Sequence, residues 1–196
     1  MREVTTIEKV YTFDELSDGA KENARNWYRV DAFDCDWYEF VYDDAKKCAE
    51  LIGIDIDEIY FSGFSSQGGG ACFNGQYRYK KGALKAIKEH APKDTELHNI
   101  ARQLQNEQSK NFYSLSAHAK HSGHYYHSGC MRVNTYDSRY GYETGNETII
   151  QLLREFADWI YSKLDKEYDY LNSAESVDEM IKANEYEFTE EGGIYE

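Results

Sequence analysis

"IDIDEIYFSGFSSQGGGACFNGQYRYK", residues 54–80, decides how this chain folds. Apolar residues alternate at Ile54 and Ile56 and recur around Ile59 and Phe61. They alternate again at Phe73, Tyr77 and Tyr79, with serines and glycines crowded between. A period of two sends every second side chain to the same face, so the stretch predicts two strands joined across a glycine- and serine-rich loop. One face of that pair needs cover, and the flanking sequence supplies it.

Upstream, the period is helical. "TFDELSDGAKENARNWYRV" places Thr12 three residues before Glu15 in a capping-box spacing, with Ser17 as a second cap ahead of Ala20, Ala24, Trp27 and Tyr28 on one face. "CDWYEFVYDDAKKCAELIG" repeats the pattern: Asp36 and Glu39 form another box spacing, Phe40, Val41, Ala45, Cys48, Ala49 and Ile52 make an apolar stripe, and Gly53 stops the helix. Downstream, "KGALKAIKEHA" is a helix closed by Pro92, the one proline, and "DTELHNIARQLQNEQSKN" is a helix capped by Asp94. "NFYSLSAHAKHSGHYYHSGCMRVNTY" returns to strand character and "GYETGNETII" reads as loop. The longest helix carries Ile149, Leu153, Phe156, Ile160 and Leu164 on its buried face. Ser173 and Ser176 are caps for a short helix through Ala183, and Tyr186 and Phe188 alternate in a closing edge strand. The sum is one α+β domain over residues 1–196, an antiparallel sheet of about four strands with helices packed on one face.

The chain has 196 residues, 18 of them tyrosine, and a net charge of −14. No run of about 18 apolar residues occurs and the N-terminus is charged from the start, so neither a membrane span nor a signal peptide is read, and a cytoplasmic location is expected. Cys35, Cys48, Cys72 and Cys130 form no Cys-x-x-Cys pair, which argues for reduced thiols rather than a disulfide framework or a zinc ribbon. The charge is unevenly spread. Residues 165–196 hold eleven acids against two bases, whereas residues 76–132 hold ten bases against four acids. Binding to a nucleic-acid duplex is disfavoured by the total, and an anionic small ligand is favoured by the basic centre.

Within that centre, "KHSGHYYHSGC", residues 120–130, concentrates His121, His124, His127, Tyr125, Tyr126 and Cys130. Ser-Gly and Tyr-Tyr pairs make it poor helix material. With Ser122-Gly123 as a two-residue turn, His121 and His124 would flank the turn and face each other. Imidazole pairs serve acid–base phosphodiester chemistry, and Lys120 beside them would stabilise a phosphoryl oxygen. No familiar metal-ligand spacing is matched, so neither metal nor cofactor is expected. The loop "FSGFSSQGGGACF", residues 61–73, presents Ser62, Ser65, Ser66 and Gln67 before three glycines that permit close backbone approach to an anion, although it meets neither nucleotide-binding fingerprint.

"YTFDELSDGAKENARNWY", "IYFSGFSSQGGGACFNGQYRYKKGA", "KHSGHYYHSGC" and "ANEYEFTEEG" resemble, nearly end to end, a family of small proteins from tailed bacteriophages and prophages. Those proteins often carry the label "antitoxin of toxin-antitoxin stability system". In that family an acidic residue commonly occupies the middle of the Gln-Gly-x-Gly stretch, where this chain has Gly69. The resemblance implies an accessory protein acting against host defence in the host cytoplasm, with no activity attached. Three functions follow as expectations. The first is a binding module capturing an anionic, nucleotide-like ligand between Ser62, Ser65, Ser66, Gln67, Lys120, His121, His124 and Tyr126. The second is a phosphodiesterase or nuclease using His121, His124 and His127. The third is an antitoxin-like inhibitor whose acidic end covers a basic host protein, with homo-oligomerisation compatible with each.

Overall fold

The computed structural model describes residues 1–2, 7–33, 36–64 and 68–195. In chain order the elements are β1 (Tyr11–Thr12), α1 (Asp18–Trp27), α2 (Glu39–Ile52), β2 (Ile54–Ser62), β3 (Gly70–Arg78), α3 (Ala83–His90), α4 (Thr95–Lys110), β4 (Leu115–His121), β5 (Met131–Asp137), β6 (Tyr142–Glu143), α5 (Glu147–Leu171), α6 (Ala174–Ala183) and β7 (Glu187–Phe188). The fold is α+β. Two compact units divide it: residues 38–165 form one, and residues 1–37 with 166–196 form the other.

The larger unit holds a five-stranded antiparallel sheet in the order β2-β3-β4-β5-β6. Alternation sorts its faces. Tyr77, Ala117 and Thr135 are register partners, all buried. On the opposite face, Gln76, His118 and Asn134 form the next row and Arg78, Ser116 and Tyr136 the one after. Within this unit, α4 and α5 pack on the first face. Phe73 meets Phe156 of α5 edge to face at 6.0 Å, and Phe156 stacks on Trp159 at 5.2 Å. Gln108 of α4 reaches the Tyr77 hydroxyl at 3.3 Å and the Leu115 carbonyl at 2.7 Å. Side chains of this size each stabilise the fold by about 1.5–3 kcal/mol when fully buried.

Local chemistry sets the boundaries. The Asp94 carboxylate accepts the Leu97 N–H at 3.0 Å and caps α4. Gly53 ends α2 at φ 89°, with the Arg78 carbonyl so close that a Cβ would sit 2.2 Å from it. A bulge at Ile56–Glu58 keeps Ile54 and Ile56 on one face and moves Glu58 and Tyr60 to the other.

Four expectations need correction. α2 starts at Glu39 with Tyr38 in the cap position, so Asp36 is not its cap, and Phe40 faces outward at 54% exposure because the helical period aligns it with exposed Asp44 and Lys47 rather than with the buried stripe. "GYETGNETII" is not wholly loop, since Tyr142–Glu143 pairs with β5. Ser122-Gly123 is not a two-residue turn: β4 and β5 pair up to His121 opposite Met131, leaving residues 122–130 as a long connection.

The smaller unit pairs β1 with β7, Tyr11 opposite Phe188. Its core gathers Phe13, Leu16, Ala20, Ala24, Tyr28, Val177, Ile181 and Phe188. Thr12 and Glu15 form the expected box, and Ser17 and Ser173 cap α1 and α6. Arg25 binds Asp178 through two parallel contacts of 2.6 and 2.8 Å, joining α1 to α6.

Candidate functional site

Covering one face of the sheet leaves the other open. Its register rows expose His118, Lys120, Arg132 and Arg78, with Asn74, Gln76, Asn134 and Tyr136 half-buried among them. Lys120 and Arg132 are direct cross-strand partners. Like charges in that position repel, a cost that an anion above them removes.

At one end of this face the 122–130 connection folds back over β2 and β3. The Tyr126 ring stacks on Tyr60, 5.4 Å apart and 10° from parallel, and His121 packs against both rings at 5.0 and 5.3 Å. Glycine makes this approach possible. A Cβ on Gly70 would lie 2.5 Å from the His127 Cβ, and one on Gly68, already at φ 87°, would lie 3.3 Å from the Tyr125 ring. Cys72, which alternation assigns to the outward face opposite Tyr60, is consequently 0% exposed, and burial followed by the neighbouring Cys130 pushes its thiol up to about 12.

The cluster is braced from below. The Tyr60 hydroxyl donates to Glu58, which raises its pKa, and accepts from the Asn74 amide at 3.2 Å. The Asn74 side-chain Oδ1 accepts the His121 backbone N–H at 2.7 Å. Bound from both sides, the Tyr60 ring is held as a fixed platform. Aromatic packing also anchors the start of the glycine loop: Phe61 and Phe64 stack at 5.9 Å, Phe64 and Tyr161 at 5.3 Å, and the Tyr161 hydroxyl donates to the Gly63 carbonyl at 3.2 Å.

The structure places Lys120, His121 and Tyr126 on or beside this platform. Ser62 donates to the Gly68 carbonyl at 3.4 Å across the mouth of the loop. Ser65, Ser66 and Gln67 lie outside the described residues. The three imidazoles all meet Tyr125, each through a different contact, and the His127 ring stacks on the Tyr125 ring at 6.5 Å. His121 Nε2 donates to the Tyr125 carbonyl at 3.2 Å, exposed His124 meets the Tyr125 ring edge-on at 5.4 Å, and His127 Nε2 lies 3.3 Å from Cys130 Sγ. That last pair meets because Ser128–Cys130 is a 3₁₀ turn, which brings residues three apart together. Sequence reasoning missed Tyr60, Asn74, His118 and Arg132. The alternation of β2 and β3 carried the signal for the first two, because Tyr60 and Asn74 fall out of phase with the apolar residues.

The sheet's other end, where β3 leads to α3, carries two further grooves. One of about 560 Å³ is lined by Glu50, Asp55, Gln76, Arg78 and Lys80, and one of about 640 Å³ by Tyr79, Lys81, Lys85, Lys88 and Gln105 among others. The second lies wholly within the basic centre noted in the sequence, whereas the first joins its Gln76, Arg78 and Lys80 to the acidic Glu50 and Asp55.

Comparison with known families finds a match to a family described as a domain of unknown function, DUF8835, over residues 37–174. The match takes in the whole five-stranded unit and the end of α5. No curated protein and no solved structure matches.

Proposed function

We propose that this chain, which belongs to the DUF8835 family, is a binding module for an anionic, nucleotide-like small molecule. The observation that carries the reading is the braced Tyr60–Tyr126–His121 cluster beside the Lys120–Arg132 pair. Flat rings offer a face to a heterocyclic base, at about 1–3 kcal/mol per stacked base. The two cations meet a phosphate without a metal. Half-buried Asn74, Gln76 and Asn134 supply amide donors and acceptors for base edges between them. Binding is favoured over turnover because His121 Nε2 is engaged by the Tyr125 carbonyl and His127 Nε2 by the Cys130 sulfur, whereas acid–base phosphodiester cleavage needs two imidazoles with nitrogens turned to one scissile bond. The resemblance to tailed-phage accessory proteins suggests a nucleotide signal of host defence as the ligand.

Calorimetry against cyclic and linear nucleotides tests the proposal. A ligand that binds the wild type and is lost in Tyr126→Ala and Lys120→Glu, both still folded, supports it; silence across the panel removes it. Chromatography after incubation separates capture from catalysis: intact ligand recovered from denatured protein means capture, and new products that disappear in His124→Ala mean an enzyme.

A second reading draws on charge. Residues 1–37 and 166–196 together hold 19 acids against 7 bases, whereas residues 38–165 hold 17 against 15. A basic protein partner would bind the acidic unit by charge complementarity. Co-purification that weakens with salt and is abolished by reversing exposed Glu187, Glu190 and Glu191 would support that reading; indifference to both would dismiss it.

A further inference from the structure

The helical layer contains a cluster that neither reading uses. Asp44 and Cys48 are four residues apart on α2 and so share one face, and His90, the last residue of α3, meets them there. One carboxylate oxygen, one sulfur and one imidazole nitrogen lie within 4.8 Å of one another. The Asp44 and His90 side chains are exposed to solvent, whereas Cys48 beneath them is 1% exposed. A buried helical cysteine is ordinarily packing material. What distinguishes this one is the pair of ligating groups from two helices converging above its sulfur.

We propose that Asp44, Cys48 and His90 form a three-ligand site for a borderline-soft divalent ion, zinc foremost, that fastens α2 to the C-terminal end of α3. The donor set argues for the ion. Thiolate with imidazole selects zinc and its neighbours over magnesium or calcium, which take oxygen ligands. Metal–ligand bonds of about 2.0–2.3 Å in a tetrahedron separate the donors by roughly 3.3–3.7 Å. Asp44 Oδ1 and His90 Nε2 already stand 3.3 Å apart, and both belong to solvent-facing side chains free to turn toward the sulfur. The thiol loses its proton to solvent as the metal–sulfur bond forms. Lys163, the nearby cation, is engaged by Asp94 at 2.6 Å, so its charge is offset before the ion enters. The solvent side leaves the fourth position to water.

Cobalt(II) titration of the full, chelator-treated chain tests the site. The expected result is a sulfur-to-cobalt charge-transfer band with visible bands of tetrahedral intensity, bleached by zinc. The charge-transfer band is lost in Cys48→Ser and kept in Cys130→Ser, and affinity falls at least about tenfold in His90→Gln and Asp44→Asn, by analogy with the 10–100-fold cost of losing outer-shell partners alone. Should Cys48→Ser fail to fold, the two surface variants carry the test. Absence of the band in folded wild type, its survival in folded Cys48→Ser, or unchanged affinity in both surface variants each overturns the proposal.

Discussion

Gln108 shows how much a single polar residue can bear. In the sequence it is one more amide in a helix rich in them; in the structure it is 0% exposed. Its Oε1 accepts the Leu115 N–H at 3.2 Å while its Nε2 serves the Leu115 carbonyl, so α4 satisfies both backbone groups at the start of β4. Gln108→Leu keeps the volume and takes a partner from three buried groups, the Leu115 N–H, the Leu115 carbonyl and the Tyr77 hydroxyl, and urea unfolding should show a loss of about 2–4 kcal/mol. Asp94 carries a comparable load, capping α4 while binding the Trp159 indole at 2.9 Å and Lys163 at 2.6 Å. Burial pushes its carboxyl up, but these donors hold it below its ordinary value. Asp94→Ala should cost about 2–3 kcal/mol in the same measurement. The cap was legible from Asp94 standing before a helical period, but the indole and ammonium, 65 and 69 residues away in the chain, were not.

At the scale of elements, the periodicities predicted nearly all helices and strands, because period depends on which face is buried and little else. The connection after β4 escaped that logic. Ser122-Gly123 has the composition of a tight turn, yet the segment takes its path from the cover it finds on Gly68, Gly70 and Tyr60, contacts set by β2 and β3. Gly70→Ala tests this dependence. Its Cβ would displace His127 and lift the segment while the helical face of the sheet stays intact. Hydrogen exchange should quicken at the Ser122 N–H, which donates to the Cys130 carbonyl, and at the Cys130 N–H, which donates to the His127 carbonyl. Amides of α5 should keep their protection, and any nucleotide affinity should fall. Unchanged exchange at both sites would contradict the packing described.

For the molecule as a whole, acidity sets the response to pH. Asp178 is held low by Arg25, Glu107 by the Asn146 amide, and Asp137 by Arg139, with Asp94 lowered as above. Each folded pKa lies below the value near 4 expected for an unfolded carboxylate, so the stability these groups contribute is complete above that value and declines as pH falls through the folded ones. The urea midpoint should therefore be flat from about pH 7 to 5 and drop below about pH 4. A midpoint that holds or rises toward pH 3 would show that the carboxylates are not stabilised in the folded state.

Among the described residues no helix is long and apolar enough to cross a membrane, as hydropathy alone implied. The sequence by itself determined the α+β class, the antiparallel pairing, most caps and the basic centre of an acidic chain, since these follow from local period, local hydrogen bonding and charge counting. Only the tertiary structure decided which sheet face stays open, that Tyr126 comes to rest on Tyr60, and that Asp44, Cys48 and His90 converge. Such meetings are fixed by the register of distant strands and the packing of helices, which no local window of sequence encodes.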